Sequence, residues 1–144
     1  MRIISFAYTS APLLAGAKIV TRRKWNDKYA WTFKEGEHIQ AYSRQPRFKG
    51  VKIAEIVLTA TPNREYTKFM HDREYYREGF HFMRTHNILI NGKLPDWDYW
   101  RSWKSSDELL WTVRFDLTKI IESEFTDELQ KKYNFKLKLK LIKL

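Results

Sequence analysis

Four cations crowd one short stretch near the start of the chain. Lys18, Arg22, Arg23 and Lys24 fall within seven residues, Thr21 sits among them, and Trp25 follows directly. Ammonium and guanidinium groups neutralise phosphates, and an adjacent indole offers a face on which a base can stack. Tyr42 and Arg44, whose strand follows a turn at Gly36, are placed at the mouth of the same cleft. A second aromatic–charged run, Trp97 to Lys104, has its tryptophans at 97, 100 and 103. That spacing makes one helical stripe, and core packing is the expected role for it.

Other chemistries drop out. The chain has no cysteine, which removes disulfides, zinc ribbons, iron–sulfur sites and thiol nucleophiles. His38, His71, His81 and His86 lack the spacing of metal ligands, so no metal is expected. Gly-rich phosphate loops and serine-nucleophile motifs are missing, and no cofactor is expected.

The 144 residues suit one domain. With 27 Lys+Arg against 17 Asp+Glu the net charge is +10, while 43% of residues are hydrophobic and 16% aromatic. A basic chain so rich in apolar groups can bury a core, unlike a disordered basic tail. The charge is uneven: residues 1–61 carry +7, residues 62–117 are neutral and residues 118–144 carry +3. The basic field points to RNA or another single-stranded nucleic acid as partner, ahead of an anionic membrane. No apolar run approaches the ~20 residues that span a bilayer, and the expected location is the cytoplasm.

The elements that must position these residues can be read from local patterns. Strands are expected over 2–8, 38–43, 49–61 and 111–117, the last alternating cleanly between apolar and polar positions. The alternation shifts at Ala54-Glu55-Ile56, which indicates a bulge. A short helix follows Thr9-Ser10 and ends near Gly16. Residues 63–86 read as a helical stretch interrupted at Gly79, and 122–133 as a short amphipathic helix. In the tail, Leu137, Leu139 and Leu141 alternate with Lys138 and Lys140, as in an edge strand. The pattern gives an α+β domain around a small β-barrel over residues 1–118, with a basic helix-plus-strand extension over 119–144.

Gly16, Lys18, Thr21 and Arg23 form a Gly-x-Lys-x-x-Thr-x-Arg series just after the first strand and helix. Gly36-Glu37 follows as a turn before a strand, Glu78-Gly79-Phe80 closes a helix, and Val113 to Leu117 ends the array. In this order the landmarks resemble the ASCH domain of the PUA-like superfamily, over roughly residues 2–118. The resemblance implies a small barrel whose cleft takes RNA or a modified nucleoside. Some small ASCH proteins are amidohydrolases that remove the acetyl group of N4-acetylcytidine with a Lys, a Thr three residues later and a distant Glu. By position these are Lys18, Thr21 and Glu78, with Glu74 one turn away as the alternative acid.

The chemistry such a set would perform is straightforward. A threonine hydroxyl attacks an amide carbonyl once a lysine, its pKa lowered by burial, takes the proton. A carboxyl group then protonates the leaving amine or positions water. Arg22 or Arg23 would stabilise the oxyanion or hold a phosphate. Blander roles stand beside these. Lys18, Arg22, Arg23 and Lys24 form a solvated basic loop, Thr21 is a plain strand residue, and Glu78 pairs with Arg73 or Arg77. The competing function is a non-catalytic nucleic-acid-binding module or a protein-interaction adaptor.

Overall fold

The computed structural model describes residues 1–139 and the backbone of 141 and 142. Seven strands make one curled, half-barrel sheet with short helices around it, the expected α+β class. The strands are β1 (Arg2–Ser5), β2 (Val20–Arg23), β3 (His38–Tyr42), β4 (Lys52–Leu58), β5 (Asn63–Tyr66), β6 (Leu109–Ile121) and β7 (Leu141–Ile142). The path runs β1-β3-β4-β6-β2, with β5 and β7 also paired to β6. Strand β6 is thus the spine, and it runs unbroken through residues 118 and 119.

Curvature comes from two irregularities in register. Glu55 pairs with Lys119 but Ile56 pairs with Leu117, so Thr118 is an extra residue on β6 opposite the predicted shift. Its hydroxyl donates to the Glu55 carbonyl oxygen at 3.0 Å. On the other side of β4, Ala41 faces Ala54 and Tyr42 faces Lys52, which leaves Ile53 as the extra residue. An inserted residue bends a strand and increases its twist. It also explains why Ile53 and Ala54 are both buried although adjacent. The inner face closes on Phe6, Phe33, Ile39, Ile53, Ile56, Leu58, Val113 and Phe115.

The α-helices among the described residues are α1 (Ser10–Leu14), α2 (Asp27–Ala30), α3 (Arg73–Arg77), α4 (Phe80–Thr85), α5 (Trp97–Ser105) and α6 (Glu124–Tyr133). The first part of the stretch expected to be helical, 63–66, is strand β5. Asn63-Arg64-Glu65-Tyr66 offers no apolar helical stripe, and its backbone finds partners along Leu109–Thr112 of β6. Beyond it, Gly79 does break the helix, at a φ of 88° between α3 and α4. Trp97, Trp100 and Trp103 lie on α5 and form a second core with Met70, Tyr75, Phe80 and Met83. Trp100 is fully buried there, with Nε1 donating to Asp72 Oδ1 at 3.0 Å. Residues 135–139 form no strand. Phe135, Leu137 and Leu139 pack partly buried against the main core instead. Lys140 lies outside the described residues. Among the described residues no helix is long and apolar enough to cross a membrane.

Candidate active site

Strand β2 and the α3–α4 junction build the site together. The chain leaves α1 through Gly16, and the Ala17 and Lys18 amides both donate to the Pro12 carbonyl oxygen. The Ile19 amide donates to the Arg77 carbonyl oxygen at 2.9 Å, which ties the start of β2 to the end of α3. Glycine at 79 permits this approach twice over. Its φ of 88° is one that L side chains rarely adopt, and a Cβ there would stand 2.7 Å from Pro12 Cβ and 3.2 Å from Lys18 Cβ.

Through that contact Lys18 and Glu78, sixty positions apart, form a buried pair. Lys18 Nζ donates to Glu78 Oε1 at 2.8 Å and to the Glu78 carbonyl oxygen at 3.1 Å. Both side chains are only 3% exposed. Burial lowers the pKa of Lys18, Glu78 opposes that, and the nearby Arg23 and Arg22 lower it further. The net direction is downward, toward the neutral amine.

Arg22 and Arg23 have separate roles despite being neighbours. Alternation along β2 sends Arg22 to the carboxylates, where it donates to Glu78 Oε2 at 2.6 Å, Glu74 Oε1 at 2.7 Å and Glu65 Oε1 at 3.1 Å. Glu74 also accepts from Arg114 at 2.7 Å and Arg77 at 3.0 Å. Desolvation would raise the Glu74 pKa, but Arg114 and Arg22 outweigh it and hold it at about 2. Arg22 is thus a structural tie for the carboxylates, with its side chain 2% exposed. Arg23 instead spans the seam between β2 and β1. It donates from Nε to Thr21 Oγ1 at 3.1 Å and from its terminal nitrogen to the Ser5 carbonyl oxygen at 2.6 Å.

Ser5, Phe6, Ala7, Tyr8, Thr9, Lys18, Thr21, Arg22, Arg23, Glu78, Phe80 and Ile90 line one cavity of about 270 Å³. Lys18, Thr21, Arg23 and Glu78 therefore converge on a single space. Its volume is close to the lower end of small-molecule sites, ~300 Å³. Lys18 Nζ makes both of its hydrogen bonds to Glu78. Thr21 takes its hydrogen bond from Arg23.

A solved structure shares this architecture. The crystal structure of protein EF3133 from Enterococcus faecalis V583, described as family model DUF984, superposes with a TM-score of 0.51. The two chains are 12% identical over 85% of this chain and 83% of the other, a likeness of fold. No family model and no curated protein matches the sequence.

The other candidates lie outside this cavity. Trp25 stacks on Phe33 at 4.5 Å between ring centroids and meets Tyr29 edge-on, packed against the main core. Lys24 is exposed, and Tyr42 is half-buried on β3. Arg44 lines an adjoining cavity with Ala7, Tyr8 and Phe48. Sequence reading passed over Ser5, Tyr8, Glu65 and Arg114. Only the position of Glu74, one helical turn before Glu78, carried a signal for the carboxylate cluster.

Proposed function

We propose that this chain is an ASCH-type, PUA-like domain that binds RNA or a modified nucleoside and hydrolyses an exocyclic amide such as that of N4-acetylcytidine. One observation carries this reading: Lys18, Thr21, Arg23 and Glu78 line the same 270 Å³ cavity, with the lysine pKa lowered by burial. The barrel-like fold and the Gly16-x-Lys18-x-x-Thr21-x-Arg23 series support it.

Burial makes the Lys18 ammonium easier to deprotonate than an exposed one, and once it has given up a proton its amine takes the Thr21 hydroxyl proton as Oγ1 bonds to the acetyl carbonyl carbon. Arg23, already bonded to Oγ1, meets the negative charge that develops on oxygen. The carbon–nitrogen bond then breaks, and the amine leaves with the proton that Lys18 had taken. Glu78 keeps the Lys18 amine oriented through Oε1 and its own carbonyl oxygen. Water, deprotonated by the Lys18 amine, attacks the acetyl–Thr21 ester; the carbon–Oγ1 bond breaks, acetate is released, and Lys18 returns its proton to Oγ1.

The assay is release of cytidine and acetate from N4-acetylcytidine, with Lys18→Ala and Thr21→Ala as controls whose folding is checked by circular dichroism. Turnover that survives in either variant refutes the roles of base and nucleophile for these two side chains. A second reading rests on the closed Lys18–Glu78 pair itself: the same cavity holds the nucleoside without cleaving it. Tight binding of N4-acetylcytidine with no product formed would decide for that reading.

A further inference from the structure

Beside the Lys18–Thr21–Glu78 cavity lies a second space with a different lining. Ala7, Tyr8, Arg44 and Phe48 enclose about 290 Å³. Ala7 and Tyr8 also line the first cavity, so the two adjoin across those residues. Tyr8 is 54% and Phe48 58% exposed, large rings held at the surface next to an arginine.

The loop that carries Phe48 is basic. Arg44, Arg47 and Lys49 form no salt bridge with any described residue, and the Arg47 guanidinium lies 4.9 Å from the centre of the Phe48 ring. The loop is shaped by its own hydrogen bonds: the Phe48 and Gly50 amides donate to the Gln45 carbonyl oxygen, and the Lys49 amide to that of Pro46. Lys49 takes a positive φ of 64°, and Gly50 is packed too closely for a side chain, its Cβ position lying 1.8 Å from the Arg44 carbonyl oxygen. The backbone therefore presents Arg44, Arg47, Phe48 and Lys49 from a compact turn. Exposed rings interleaved with unpaired cations are the surface on which single strands lie, with bases stacked and phosphates neutralised.

We propose that the ligand of this protein is a nucleotide within a single strand of RNA, and that a neighbouring nucleotide occupies the shelf of Tyr8, Arg44 and Phe48. This rests on the proposed nucleoside site and extends it to the substrate class, an oligonucleotide in preference to a free nucleoside. Arg44 takes the phosphate between the two sites, and Phe48 stacks the neighbouring base.

The test compares the affinities of free N4-acetylcytidine and of a seven-nucleotide RNA with one central N4-acetylcytidine, by titration calorimetry at low and at moderate salt, with Thr21→Val as the common background so that neither ligand is consumed. The strand is expected to bind at least tenfold tighter than the nucleoside, and only its affinity should fall steeply with salt. Phe48→Ala and Arg44→Gln should each reduce the strand-to-nucleoside affinity ratio about tenfold. Both positions are exposed and outside the core, so thermal unfolding of the variants should match the parent. Binding of the nucleoside with no gain for the strand, or a ratio indifferent to both variants, overturns the shelf and leaves the nucleoside site standing. If neither ligand binds, the nucleoside site fails and the shelf with it.

Discussion

Replacing Glu78 by glutamine removes one negative charge from a place that cannot reach water. In the parent, Oε1 accepts from Lys18 Nζ at 2.8 Å and Oε2 from Arg22 at 2.6 Å, and all three side chains are 2–3% exposed. A glutamine has one carbonyl oxygen for these two donors. Either orientation turns its NH2 group toward a cation, and both cations lose their shared counter-charge. Breaking one side of a buried ion pair costs about 3–5 kcal/mol. The Arg22 bonds to Glu74 and Glu65 remain, and Lys18 can deprotonate, so the lower figure applies. About 3 kcal/mol corresponds to a fall of roughly 10 °C in the unfolding midpoint for a domain of this size.

Two features make this diagnostic in thermal unfolding followed by circular dichroism. Lys18 binds its proton less tightly when folded than when unfolded, so stability rises with pH between its lowered folded pKa and the ordinary 10.5. Loss of Glu78 lowers the folded pKa further and extends that window downward, so Glu78→Gln should recover stability on going from neutral to mildly alkaline pH more than the parent does. Adding Lys18→Met to Glu78→Gln removes the stranded ammonium, and the double variant should lose less than the sum of the singles. A Glu78→Gln midpoint within about 3 °C of the parent at neutral pH would refute the reasoning.

Four other outcomes follow from the same contacts. Glu74, held at about 2 against an ordinary 4.5, supplies stability that is complete above pH 4.5 and lost as pH falls toward 2; acid titration of the unfolding free energy should show about 3 kcal/mol lost there, and much less in Glu74→Gln. Gly79→Ala meets both a positive φ and Pro12, and denaturant unfolding should register about 2–4 kcal/mol of destabilisation. Trp100→Ala should cost about 3–5 kcal/mol, whereas Trp31→Ala, on the exposed C-terminal end of α2, should stay within about 0.5 kcal/mol. Thr21→Val keeps the shape and β preference of the residue but lacks the hydroxyl; N4-acetylcytidine turnover should fall to background, while Thr21→Ser retains it.

The features that sequence alone determined are local ones. The alternation of β6, the shift near Glu55, the break at Gly79 and the tryptophan stripe of α5 each depend on residues a few positions apart, whose faces are set by the periods of strand and helix. Composition likewise determined the basic character of the first half and the absence of thiol chemistry. The Lys18–Thr21–Arg23 series was legible because all three lie on or beside one strand.

Tertiary structure decided which partners those residues meet. Adjacent cations of like appearance in the sequence went separate ways: Arg22 was drawn into Glu65, Glu74 and Glu78, while Arg23 bridged the seam to Ser5. Trp25 found Phe33, and Asn63–Tyr66 became strand because the N-terminal end of β6, Leu109–Thr112, could satisfy its backbone. The Lys18–Glu78 pair spans sixty positions and exists because glycine at 79 lets α4 close on Pro12. Electrostatic partners of this kind are selected by the path of the chain and by the desolvation that path imposes, neither of which a local pattern encodes.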